Sequence, residues 1–399
     1  MDWRKFWNRD TKIKTVTLII TVLLVIVTIK FIDTEGLRNT EKNISYYHGK
    51  AIEIIENNVE EDEKTEGVLR GSQKVKVEIT SGEHKGEVAV LDNYISALYN
   101  VYAKEGTPLI IRASKDTSGV TYTIYNYDRT VLIYSVILLF AILLCVIGGR
   151  KGFAALLSLI VMLIGIFFVL LPLYIKGYPA VTVTLVMIVA MTLIGYILID
   201  SINKKTVSAC LGTIAGVMVS GLLAYFVGLF GHLTGFQTQE AETLLLIAGD
   251  DGLKVKNLLV CGILIASLGA VMDVAMSIAS SIHELHEVNP TLSSKQLFLS
   301  GMNIGKDAMG TMANTLILAF TGASLNLLLL IYSYGIPYTQ LMNTDLIAIE
   351  IMKGIAGSVG IILTVPIVAL FSAKIEATKK HISKKPVMRT GKKNDRKIP

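Results

Sequence analysis

Cysteine is scarce in this chain. Cys145, Cys210 and Cys261 each stand alone in or at the end of an apolar run, with no Cys-x-x-Cys spacing, which argues against disulfides and thiolate metal sites. The glycine-rich loop that cradles nucleotide phosphates is missing, as is the Gly-x-Ser-x-Gly turn of serine hydrolases. Asn303-Ile-Gly305-Lys306-Asp307 puts lysine after glycine without the earlier glycine such a loop needs, so it reads as a polar helix entrance. His283-Glu-Leu-His286-Glu287 has glutamate where a His-Glu-x-x-His zinc site requires its second histidine. No enzyme and no cofactor is expected from these signals. Residues 231–252 contain neither Lys nor Arg, and the first apolar run is followed by no small-x-small cleavage site. That run therefore reads as an uncleaved anchor.

What the chain has is apolar length. Hydrophobic residues make up 52% of it and the mean hydropathy is +0.56, and these residues gather into runs instead of scattering as in a soluble protein. Stretches of membrane-spanning length fall at 13–32, 130–147, 153–174, 180–199, 207–230, 258–281, 309–333 and 345–371. The expected fold class is mainly α: a polytopic membrane bundle of about eight helices.

Basic residues near span ends stay on the cytoplasmic side. Arg4, Lys5, Arg9, Lys12 and Lys14, then Arg150 and Lys151, then Lys204 and Lys205 all fall on one side of an eight-span arrangement. The basic tail, 372–399, lands there too. Glu240, Glu242, Asp250 and Asp251 fall on the other. Both termini, 1–12 included, are thus expected in the cytoplasm. The net charge of +6 comes mainly from these ends and signals topology, with anionic lipid as its natural contact.

Residues 33–129, outside the membrane, are polar and broken by turns. Alternating or β-branched runs at 51–56, 74–80, 87–91, 108–112 and 121–127 predict five short strands and a small β-rich domain, OB-like by strand count. Lys-rich strand faces and Tyr94, Tyr99 and Tyr102 imitate a binding groove, but no concentrated basic face supports nucleic acid. Residues 238–248 predict a short outer-face helix that ends at Gly249-Asp250-Asp251-Gly252. The paired aspartates read either as a solvated turn or as an outer mouth that gathers cations.

The polar residues inside the spans are the functional clue. Asp273 lies in Leu258–Ser281, where a carboxylate costs about 2.5–3.5 kcal/mol to insert and so faces a cavity or a polar partner. Gly269-x-x-x-Asp273 is echoed by Gly310-x-x-x-Asn314 in the following span, which runs the opposite way. Asp273 and Asn314 are therefore expected at similar depth in one polar site, with Ser277 and Thr311 among the hydroxyls that line it. The structural alternative for Asn314 is an interhelical hydrogen bond. In the last span, Glu350 and Lys353 share a face and are expected to pair, as a staple, a gate or a proton site. Gly354, Gly357 and Gly360, like Gly212 and Gly216 in the fifth span, offer smooth faces to another helix, and Pro366 predicts a bend.

The residues Leu268-Gly-Ala-Val-Met-Asp273-Val-Ala-Met-Ser-Ile-Ala-Ser280, Gly305-Lys-Asp-Ala-Met-Gly-Thr-Met-Ala-Asn314-Thr-Leu and Glu350-Ile-Met-Lys353-Gly-Ile-Ala-Gly-Ser-Val-Gly360 resemble the YibE/F-like family of bacterial multi-pass membrane proteins. The resemblance extends over nearly the whole chain and implies an integral membrane protein of Gram-positive-type bacteria. It supplies no substrate. Lys353 stands where the resemblance implies Arg, which keeps the charge and loses the bidentate fork.

A permease-like protein for a small solute or ion follows from the number of polar groups within the spans, with Asp273 as cation or proton binder and Glu350–Lys353 as outer gate. The alternative is a non-transporting envelope factor whose β-domain binds a protein partner. Partners open to such a chain are the lipid bilayer, a small solute or ion, an envelope protein and a second copy of itself. Nucleic acid is not among them.

Overall fold

The computed structural model describes residues 9–31, 43–63, 65–116, 119–233, 243–244 and 257–377. The chain divides into two compact units, residues 38–152 and residues 1–37 with 153–399. The first holds a five-stranded antiparallel sheet of β1 (Ile44–Glu61), β2 (Leu69–Ile79), β3 (Val88–Ile95), β4 (Pro108–Asp116) and β5 (Gly119–Tyr127), in the order β3-β2-β1-β4-β5. All five expected segments overlap strands, and the strands run longer. β1 is longest because it serves two partners, pairing with β4 over Ile44–Lys50 and with β2 over Gly49–Glu61. Register shifts after Ala51 and Ile54 bend it between them.

The sheet curls until its edges β3 and β5 approach, and the Tyr122 hydroxyl donates to Glu87 Oε2 at 2.8 Å. Alternation along β2 sends Val75, Val77 and Ile79 into the core with Leu91, Leu109 and Ile111. On the other face Lys74 and Lys76 lie opposite Glu56 and Glu53, so the lysine-rich face is charge-matched. Two buried amides hold the β3–β4 loop: Gln73 Nε2 donates to the Ala103 carbonyl at 3.0 Å and Asn93 Nδ2 to the Val101 carbonyl at 2.7 Å.

The helices are α1 (Arg9–Phe31), α2 (Thr130–Gly165), a π-helical turn (Ile166–Leu170), α3 (Leu171–Ile175), α4 (Ala180–Asp200), α5 (Lys204–Phe230), α6 (Leu258–Val288), α7 (Ser294–Ala323), α8 (Leu325–Ser333), α9 (Tyr338–Met342) and α10 (Asp345–Ala377). Among the described residues six helical stretches are long and apolar enough to cross a membrane, or seven if α7 and α8, bent by 62°, count as one. The expected second and third spans form one run, Thr130–Ile175, interrupted at Gly149, whose backbone (φ 55, ψ −131) no helix contains. Only glycine adopts that conformation cheaply. α10 runs unbroken through Pro366. Of the expected outer-face helix at 238–248, only Thr243 and Leu244 are described, in helical form; Asp250 and Asp251 lie outside the described residues, as do residues 1–8 and 378–399.

α5, α6, α7 and α10 form the centre of the helical unit, and small residues set how closely they meet. A Cβ on Gly212 would stand 2.0 Å from Val368 Cγ2, and one on Gly216 1.8 Å from Thr364 Oγ1. The glycines of α10 divide between neighbours: Gly360 faces Ser220 of α5 and Gly357 faces Leu316 of α7. Gly301 and Gly305 seat α7 over Ile282 and Ile278 of α6. Without these glycines the backbones could not approach as they do.

Candidate functional site

α6 is enclosed on three sides and open on the fourth. Leu264 and Val271 meet α5, Met272 reaches Gly195 of α4, and Ile278 and Ile282 meet α7. The open face carries Gly262, Ala266, Gly269, Asp273 and Ser277, which recur at steps of three and four and so form one stripe. Gly262 and Gly269 have no atom within 4 Å of a built Cβ, so there is free space above the stripe.

Asp273 is exposed in the middle of this stripe and makes no hydrogen bond or ion pair with any described residue. Its backbone is fixed one residue earlier. The buried Tyr196 hydroxyl donates to the Met272 carbonyl at 2.8 Å, which leaves Thr213 Oγ1 to donate to Tyr196 at 2.6 Å. Three helices thereby hold the strand of backbone from which Asp273 projects. Ser277 lies one turn on, exposed, and its carbonyl accepts from Ser281 Oγ at 2.9 Å.

The neighbouring α7 is amphipathic, with Asn303, Lys306, Asp307, Gly310, Thr311 and Asn314 all exposed. Thr311 Oγ1 donates to the Asp307 carbonyl at 3.2 Å. Gly305 packs at Ile278, while Leu316 and Ser267 meet over Gly357. This antiparallel register sets Asp273 level with Gly310, and Asn314 level with Gly269. The two polar residues stand one turn apart in depth instead of side by side. Asn314 follows Gly305 by nine residues, half a revolution at 100° each, and so points away from the bundle. The structure brings Asp273 and Ser277 together on one face, and Thr311 and Asn314 on another; no hydrogen bond joins the two sets.

Glu350 and Lys353 are paired. Lys353 Nζ donates to Glu350 Oε1 at 2.7 Å, and Ser324, at the bend between α7 and α8, donates to Oε2 at 2.6 Å. The carboxylate forms part of the wall of an otherwise apolar groove of about 940 Å³, lined by Phe320, Thr321, Leu325, Leu328 and Ile351 among others.

Sequence reasoning missed the charge cluster at the other end of the bundle. Glu376 is buried and both its oxygens are used: Lys204 Nζ donates to Oε2 at 3.1 Å and His283 Nδ1 lies 2.8 Å from Oε1. Lys204, His283 and Glu376 tie together the ends of α5, α6 and α10. The available signal was an acid at the C-terminal end of the last apolar helix, together with a histidine whose metal motif failed. Lys205 pairs with Asp200 nearby. No group of three His, Cys, Asp or Glu that could hold a metal occurs among the described residues.

The pattern of one protein family, described as YibE/F-like protein, matches residues 136–378. The match covers the helices from α2 onward, Asp273, Asn314 and Glu350 included, and not the β-sheet, so it is narrower than the expected resemblance over nearly the whole chain. No curated protein and no solved structure matches the chain.

Proposed function

The chain belongs to the YibE/F-like family, and from that premise and the unpaired carboxylate of Asp273 we propose a permease-like membrane protein that moves a small solute or ion. The observation that carries this reading is an acid with no partner among the described residues, on an open face of small and hydroxyl residues, in a helix long enough to span a bilayer. Such a group in a span belongs to an ion or substrate path more often than to a staple. Asp273 binds the cation or proton and Ser277 supplies a hydroxyl ligand, while Thr311 and Asn314, on another face, take no part in this site. Glu350 and Lys353 form the outer gate, and Asp250 and Asp251 the outer mouth.

In this reading the two arms of α2 on either side of Gly149 are separate spans and α7 with α8 is one, which gives eight. Both termini are cytoplasmic, in a bacterial cell membrane. The β-sheet is extracytoplasmic, and its strand order with the approach of β3 to β5 supports an OB-type, partly open barrel. A cysteine at Lys104 then reacts with an impermeant reagent in intact cells and one at Ser294 does not; the reverse pattern removes the topology. Flux of candidate ions and solutes into sealed vesicles tests the function. Asp273→Asn abolishes flux while protein remains in the membrane; loss of the protein itself indicates a structural role.

A second reading, a non-transporting envelope factor, is favoured by the loop that follows β3. Tyr94, Leu98 and Tyr99 are 74%, 85% and 66% exposed on a segment whose base is pinned by Asn93. An exposed aromatic tip on a held loop suits a protein partner. A partner that co-purifies with wild type but not with Tyr94→Ser/Tyr99→Ser, together with absence of flux, selects this reading.

A further inference from the structure

The outward face of α7 is polar along a line of nearly membrane length. Asn303, Asp307, Gly310, Asn314 and Thr321 recur at steps of four, three, four and seven, so they fall on one line of the helix. All five are exposed. The line runs for about 27 Å at 1.5 Å per residue, close to the roughly 30 Å of a hydrocarbon core. In the eight-span reading, which places the span at 309–333, the part of the line from Gly310 to Thr321 lies within the membrane. Lipid offers its polar groups no partners.

Two charges border the line, Asp307 at one edge and Lys306 beyond the other. Adjacent residues are 100° apart on a helix, so Lys306 lies to one side and Asp307 to the other. Neither makes an ion pair among the described residues, and neighbours in sequence cannot pair with each other across a helix surface. An apolar helix with uncovered surface, the first arm of α2, is Thr130-Val-Leu-Ile-Tyr-Ser-Val-Ile-Leu-Leu-Phe-Ala-Ile-Leu-Leu-Cys-Val-Ile-Gly148. It contains no charge and cannot neutralise either residue.

We propose that the α7 face is covered by α7 of a second copy of this chain, packed in parallel about a two-fold axis along the membrane normal. Most oligomers are symmetric pairs of this kind, in which one patch meets itself. A two-fold axis in front of the polar line brings the left flank of one helix against the right flank of the other. Lys306 then meets Asp307 of the second copy, and Asp307 meets its Lys306, at the same depth. The charge pattern is complementary to itself in this packing. Gly310 sits on the line between the two ion pairs and the two Asn314 residues, and a built Cβ there touches nothing. It lets the backbones close in, as glycine does in paired membrane helices. Ile317 and Leu318 flank the line one to two turns beyond and extend the contact in apolar form. The inference concerns association alone and stands or falls apart from flux through the Asp273 site.

The test uses full-length protein with two distinguishable tags, purified and reconstituted at low density in phosphatidylcholine vesicles, so that no other protein is present. Wild-type copies co-capture each other. Lys306→Glu leaves two acids on the face and Asp307→Lys leaves two bases; each alone loses co-capture at least roughly tenfold, since like charges placed in contact cost several kcal/mol. Mixing the two variants restores it, because two acids now face two bases, and that recovery excludes misfolding as the cause of the losses. In protein whose Cys145, Cys210 and Cys261 are replaced by serine, Asn303→Cys forms a disulfide between copies. Wild type that stays monomeric, single variants that associate as wild type does, or a mixture that stays apart each overturns the proposal.

Discussion

Two sides of α6 teach different things. Toward α5, α7 and α10 the packing is so close that glycines stand where any side chain would collide, and the buried hydroxyls of Tyr196 and Thr213 are bonded. On the open side stand glycines with free space above them and a carboxylate with no partner among the described residues. Glycine thus serves close approach on the helices that pack against α6 and leaves room on the open face of α6 itself. Charge follows the same division, since Glu350 and Glu376 are each held by a cation or histidine and by a further bond, while Asp273 is not. A held charge fixes structure, and an unheld one is available to a ligand.

The largest expected effect breaks this comparison at its packed end. Gly216→Leu drives a side chain into Thr364 and destabilises the protein by about 3 kcal/mol, at the upper end of overpacking costs. Gly269→Leu on the open side changes stability by less than about 0.5 kcal/mol. Thermal unfolding in one detergent measures both. Equal losses would mean that the space above Gly269 is filled by the protein itself.

Next come the charges. Lys353→Met or Glu350→Gln strands its partner and costs about 2 kcal/mol, below the full penalty of a buried pair because both side chains are about a quarter exposed. The double substitution recovers stability. Recovery of flux with it identifies a staple, and recovery of folding alone identifies a gate. Asp273→Asn, by contrast, shifts stability by less than about 0.5 kcal/mol, because no bond is lost. A large loss of stability there would place Asp273 among the held charges.

Much of the fold was legible because it rests on local pattern: apolar run length gave the helices, and period-two alternation gave five strands. The Glu350–Lys353 pair was legible for the same reason, since three-residue spacing fixes a shared face. The joint site of Asp273 and Asn314 was not, because the motif match ignored rotation. Nine residues separate Asn314 from the packed Gly305, and that half revolution turns it outward. The Lys204–His283–Glu376 cluster was hidden because its members come from three helices far apart in sequence, and no periodicity within one helix reports a contact between several. Tyr196 escaped for the same reason.

The smallest effect concerns a charge pair that water surrounds, and it completes the contrast with Glu350. Glu87 accepts from His84 and Tyr122, and these bonds, His84 first, hold its carboxyl below the ordinary value of 4.5. Asp128, bonded to Thr130 and His48, is lowered in the same sense from 3.8. A carboxylate whose pKa falls on folding contributes stability that is present above its unfolded pKa and is lost as pH drops through the lower folded value. Protection of the β3 and β5 amides of the full chain from hydrogen exchange, relative to the intrinsic rate at each pH, should therefore be high at pH 6 and fall as pH drops below about 4.5. Glu87→Gln should flatten that dependence only slightly, since solvent screens an exposed pair. If Glu87→Gln destabilised the sheet as much as Lys353→Met destabilises the bundle, burial and not pairing would have failed as the measure of what a charge contributes, and the edge between β3 and β5 would have to be drier than its exposed carboxylate indicates.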